Sequence, residues 1–243
     1  GLYRHRTPEV DRSTVGYHYY SSKDYIIFNP DVYYGTGYPG QDAFDCVIPG
    51  VTKLISEGFI DKDHIAAQGH SWGGYQVAYL ATQTDLFAAI ESGAPVSNMF
   101  SAYGGIRGWS GRNRSFQYEN TQSRIGASIW EEPLNYLENS PLFWADKINT
   151  PMLIMHNEDD GAVPFSQGVE FFIALRRLRK PAWLLNYNEA DHWPTKIRDK
   201  RDFQLRMSQF FDHYLKEEPM PEWMKEGIPA VEKKTNMGYE LIE

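Results

Sequence analysis

The segment His64-Ile65-Ala66-Ala67-Gln68-Gly69-His70-Ser71-Trp72-Gly73-Gly74 restricts the fold more than any other part of this 243-residue chain. A short apolar run leads without a spacer into Gly-x-Ser-x-Gly, and Tyr75, Ala78, Tyr79 and Thr82 then recur on one face of a helix. Strand, sharp turn and helix in that order place a serine on a turn strained enough to lift its hydroxyl above a sheet. Neighbouring glycines admit a backbone approach that a Cβ would block. The same turn sets the amide of Trp72 at a helix N-terminus, where it can meet negative charge developing on an oxygen. Gly-x-Ser-x-Gly is common by chance in ordinary turns; the flanking strand and helix give it meaning here.

Short apolar runs alternate with helical patterns along the rest of the chain, the pattern of a mostly parallel sheet with helices on both faces. Strands are expected at Tyr25–Phe28, His64–Gln68, Phe87–Ile90, Pro151–Met155 and Trp183–Tyr187. Helices are expected through Val51, Leu54 and Ile55, from Ser166 to Leu178, and along the stripe Phe203, Met207, Phe210, Phe211, Tyr214, Leu215. A region rich in Gly, Ser, Asn and aromatics runs from about 97 to 147, the kind of segment that lies over a site or against another domain. Without a Ser/Gly/Pro-rich linker the chain reads as one catalytic domain over 1–218, and 219–243 as an extension packed on it or frayed from it.

A serine hydroxyl needs a base to take its proton and a carboxylate to orient that base. The strand–turn–helix context makes this an α/β-hydrolase fold, in which the chain order is serine, acid, histidine. Glu158, Asp159 and Asp160 all follow the strand Pro151–Met155, and any of them could instead cap the turn. Of the seven histidines, His192 lies in the loop after the next strand. His70 is expected to point away from the site, His156 precedes the acid loop, and His5, His18, His64 and His213 fall away from strand C-terminal ends. Ser71, the acid and His192 thus meet where open α/β sheets place their sites.

Four stretches, Gly69-His70-Ser71-Trp72-Gly73-Gly74-Tyr75, Ala94-Pro95-Val96-Ser97, His156 to Pro164 and Asp191-His192-Trp193-Pro194, resemble the prolyl oligopeptidase family of serine peptidases from about Tyr25 to Leu215. The resemblance implies Ser71 as nucleophile, Asp159 as acid with Asp160 the alternative, and His192 as base. It implies that the N–H of Trp72 serves the oxyanion, and that Trp72, Val96, Met99 and Ala162 wall a hydrophobic pocket for a peptide substrate; Val96 and Met99 also read as plain core. Gly161 stands where members often carry Arg or Asn. The family's domain has further strands before Tyr25 and an upstream oxyanion tyrosine, which Tyr3, Tyr17, Tyr19 and Tyr20 do not match. By the same resemblance, this chain is expected to be the C-terminal part of a longer polypeptide that includes those strands and a β-propeller.

A net charge of −8 offers no basic surface for nucleic acid or anionic membrane, and the run Arg176, Arg177, Arg179, Lys180 sits at a helix end where cations are favoured for structural reasons. No stretch has the apolar length of a membrane-spanning helix. Neither a metal-ligand spacing nor a phosphate-binding glycine loop is present, so no metal or cofactor is expected. Cys46, alone, makes no internal disulfide; compartment and oligomeric state are left open, an oligomer being allowed. Two other activities fit the same residues: an esterase or other acyl hydrolase, and a catalytically silent binding domain.

Overall fold

The computed structural model describes residues 8–229, 231–232 and 235–242; Tyr3 and His5 lie outside these. The elements run α1 (Tyr17–Ser21), α2 (Pro39–Ser56), β1 (Ala66–His70), α3 (Trp72–Gln83), β2 (Ala89–Gly93), α4 (Met99–Tyr103), α5 (Ser115–Glu119), α6 (Pro133–Glu138), a 3-10 helix (Pro141–Lys147), β3 (Met152–Met155), α7 (Ser166–Arg177), β4 (Ala182–Leu185), α8 (Ile197–Lys216), β5 (Met220–Pro221), α9 (Glu222–Lys225) and β6 (Leu241–Ile242). Strands β1 to β4 form one sheet in that order, parallel throughout, with Gly69 opposite Ser92, Ser92 opposite Ile154 and Ile154 opposite Leu184. Parallel strands in sequential order send every following loop to one edge.

Both faces are covered, which is why β2 and β3 are buried at every residue. Met152 and Ile154 pack with Val77, Leu80, Phe171 and Leu175 under α3 and α7, and α2 adds Phe44, Val47 and Ile48 to that side. Leu153 and Met155 face the opposite layer, where Phe203, Met207, Phe210 and Phe211 form the buried stripe of α8. The tail closes on this second layer: β5 pairs antiparallel with β6, and Trp223 and Met224 enter the core. Trp183 Nε1 donates to Met224 O at 2.9 Å, and Trp223 Nε1 to Gln209 Oε1 at 2.9 Å.

The strand expected at Tyr25–Phe28 is not formed. That segment has no regular secondary structure, and a cavity of about 680 Å³ lined by both lies between it and β1, so no ladder joins the two. The region from 97 to 147 folds into α4, α5, α6 and the 3-10 helix over a third cluster, built on Tyr75, Tyr103, Tyr118 and Tyr136 with Val96, Met99 and Val163.

The junction of β1 and α3 is held by close backbone contact. A Cβ on Gly69 would lie 2.2 Å from Gly73 O, and one on Gly74 would lie 2.2 Å from Gly93 O, whereas one on Gly73 would meet nothing within 4 Å. The last glycine of Gly-x-Ser-x-Gly is thus the least constrained by packing. Gly74→Ala is expected to cost more than about 2 kcal/mol by overpacking, and Gly73→Ala to be neutral or slightly stabilising by helix propensity. Urea unfolding midpoints of the two variants test this, and equal destabilisation would contradict it.

Glu91, fully buried on β2, accepts from Gln68 Nε2 at 2.8 Å through Oε2, while Oε1 has no partner. Burial pushes its carboxyl well above the usual range, and the Gln68 bond offsets only part of that. A raised folded-state value means that the folded chain holds a proton the unfolded chain has released, so stability falls as pH climbs from the ordinary Glu range toward the folded value. Glu91→Gln mimics the protonated acid and is expected to stabilise the fold by about 1–3 kcal/mol at pH 8, with little change near pH 4. Urea titrations across pH 4–8 would show the wild-type slope flattened in the variant.

Candidate active site

Ser71 ends β1 and begins α3 with φ 60° and ψ −116°, a left-handed conformation that a side-chain-bearing residue adopts only under constraint. Its N–H donates to Gly93 O at 2.7 Å and its carbonyl accepts from Tyr75 N at 3.0 Å, so the turn is tied to β2 on one side and to α3 on the other. The N–H of Trp72 lies in the first turn of α3, where amides lack intrahelical acceptors. The Ser71 hydroxyl has no hydrogen-bond partner among the described residues.

His192 lies on the loop after β4, 5% exposed, and its Nδ1–H donates to Asp160 Oδ2 at 2.7 Å. The carboxylate on His192 is therefore that of Asp160, not of Asp159 as the resemblance implies. Glu158 and Asp159 form the exposed apex of a turn closed by Asp160 N donating to Asn157 O at 3.2 Å, and the chain turns inward only at Asp160. Two amides, Ala162 N at 2.7 Å and Val163 N at 2.8 Å, fill the other oxygen, Oδ1. Burial alone would raise this carboxyl, but the bonds from His156 and His192 outweigh it and hold the group well below the usual carboxylate range.

Three residues that the sequence reading passed over also serve this loop edge. His156, buried at the end of β3, places Nε2 3.2 Å from Asp160 Oδ2. Asp191 accepts the backbone N–H of His192 at 2.8 Å and of Gly161 at 2.9 Å on one oxygen, and the indole N–H of Trp109 at 2.6 Å on the other. The Trp109 indole covers Gly161, where a Cβ would fall 2.3 Å from the ring, and stands edge-on to His192 at 6.1 Å. A His-x-x-x-Asp spacing and an acid directly before His192 were the available sequence signals.

His70 does not turn away from the site as expected. Its ring lies 4.7 Å from that of His192, because side chains alternate along β1 and that of His70 emerges toward the loop carrying His192. Both ring nitrogens are buried without partners, and burial, reinforced by the neighbouring His192, drives its pKa down to about 3. It therefore remains an uncharged ring. Of the four residues expected to wall a pocket, Trp72 stacks on Tyr75 at 4.3 Å and 29°, Val96 and Met99 are buried in the aromatic cluster behind it, and Ala162 is buried beside Asp160.

Residues 21–218 match the model of the prolyl oligopeptidase family. The acylamino-acid-releasing enzyme of Rattus norvegicus is 30% identical over 165 residues, which cover 67% of this chain and 22% of that protein. The uncharacterized peptidase YuxL of Bacillus subtilis is 28% identical over 182 residues, covering 73% and 26%. Among solved structures, a puromycin-hydrolyzing peptidase of Mycobacterium tuberculosis superimposes with a TM-score of 0.63 at 26% identity, over 71% of this chain and 25% of that one. The chain thus spans about a quarter of the length of these proteins. With the match running through β1 to α8, and with serine, acid and histidine on the loops where an α/β-hydrolase carries them, the chain belongs to the prolyl oligopeptidase family.

Proposed function

We propose that this chain is the catalytic part of a serine peptidase that cleaves peptide bonds in oligopeptides through an acyl-enzyme. The observation that supports this most is the 2.7 Å bond from His192 to a buried carboxylate, on the sheet edge that carries the strained Ser71. Ser71 Oγ adds to the substrate carbonyl while His192 Nε2 takes its proton; the bond to Asp160 fixes the ring tautomer that leaves Nε2 able to accept. The N–H of Trp72 stabilises the oxyanion. Collapse expels the amine with the proton from His192, and water repeats the sequence to release the acid. Trp72, with Val96, Met99 and Ala162 behind it, forms the apolar wall for the side chain before the cleaved bond.

We further propose that the chain works within a longer polypeptide whose upstream part supplies additional strands, an oxyanion donor and a β-propeller that screens substrates by size. The outer edge of β1 supports the strands. Ile65 O accepts from Ala88 N and Ser71 N donates to Gly93 O, so the alternation of a parallel ladder turns the backbone groups of Ala66, Gln68 and His70 away from β2. Ala66 and Gln68 line the cavity of about 680 Å³ that Ile26, Ile27 and Phe28 also line. A strand lying there would have a ladder partner on each side.

Asp160→Asn is expected to slow labelling of Ser71 by a fluorophosphonate by about 10³-fold or more, and Asp159→Asn to leave it within about twofold. The reverse order would move the acid to Asp159. On the full-length protein, kcat/KM for peptide amides and short acyl esters is expected to show amide cleavage. Esters turned over without amides would favour an esterase, and a folded full-length protein that does not label would be a silent binding domain.

A further inference from the structure

We propose that His156 is a positioning residue: its Nε2–H clamps the carboxylate of Asp160 so that one fixed oxygen is presented to His192. The kinetic part of this rests on the peptidase reading above; the structural part does not. The ring is fully buried, and Nε2 faces two oxygens, Asp160 Oδ2 at 3.2 Å and Val163 O at 3.1 Å. A backbone carbonyl and an ionised carboxylate only accept, so Nε2 must carry the hydrogen; it donates to Val163 O, with Asp160 Oδ2 3.2 Å from the same nitrogen. Nδ1 is buried without a partner and lies against Gly168 of α7, where a Cβ would come within 2.6 Å of it. Phe165 stands edge-on to the ring at 5.7 Å and 85°. A flipped ring would set a carbon atom against both oxygens, so these two acceptors select the orientation as well as the tautomer.

The clamp supplies what the loop lacks. Asp160 follows an exposed turn and belongs to no strand, and its Oδ1 is fixed by the Ala162 and Val163 amides. Oδ2 would otherwise be held only by His192, the group it has to orient and one that also sits on a loop. Because the second contact of His156 is to Val163 O, a single imidazole joins both ends of the segment from 160 to 163 to the end of β3.

Two measurements on the full-length protein test this. His156→Leu keeps an apolar side chain and loses the donor, and it is expected to lower kcat about tenfold or more with KM within about twofold, the loss of one charge-assisted hydrogen bond. His156→Gln places an amide N–H near the position of Nε2 and should recover most of that loss. A folded Leu variant with wild-type kcat, or Leu and Gln variants equally impaired, would overturn the proposal in favour of simple packing. Two-bond ¹H–¹⁵N spectra of the wild-type imidazoles give a result independent of folding of the variants and of activity: His156 must carry its hydrogen on Nε2, and a hydrogen on Nδ1 alone would overturn the clamp. Wild-type protein without peptidase activity, but with His156 in the Nε2–H form, would count against the function and not against the clamp.

Discussion

The contact between α3 and β2 governs the rest of the molecule. Gly74 passes so close to Gly93 O that no side chain fits between them, and Gly69 is equally close to Gly73 O. The helix can therefore begin only where β1 stops, and one residue must make the whole reversal. Ser71 does so in a left-handed conformation that its own side chain disfavours, and the sheet on one side and the helix on the other hold it there. Parallel, sequential strands then bring the loops after β3 and β4 to the same edge. The order of the strands thereby brings Asp160 and His192 to the sheet edge that carries Ser71.

The parts legible in the sequence are those set by local pattern. The turn at Ser71 is read from the single strand-to-helix junction that contains it, and the stripe of α8 from its period. Placing the acid required more than pattern, because Glu158, Asp159 and Asp160 are chemically interchangeable in a list. They are separated by where the turn ends, which depends on Asp160 N reaching Asn157 O and on two downstream amides reaching Oδ1. Tyr25–Phe28 shows the opposite failure: its composition suits a strand, but pairing depends on a neighbour and the neighbouring space is a cavity.

The partnership of Trp109 with Asp191 left no pattern in the sequence. Trp109 meets Asp191 across 82 positions, inside a region that composition described only as irregular. The direction of the His70 side chain follows from alternation along β1, but which loop arrives on that side does not, and here it is the loop of His192. The His192 ring thus lies between the buried ring of His70, on β1, and the carboxylate of Asp160, on the loop after β3.

The loop between His156 and Asp160 carries its information in its length. Glu158 and Asp159 are exposed at the apex, and the groups that matter stand at its two ends, where a ring nitrogen and a carboxylate oxygen meet across four positions. Exchanging the apex residues for other small or polar ones leaves both ends in place. Adding or removing a single residue would rotate the carboxylate out of reach of both imidazoles at once, so among descendants of this sequence the stretch can drift in identity far more freely than in residue count.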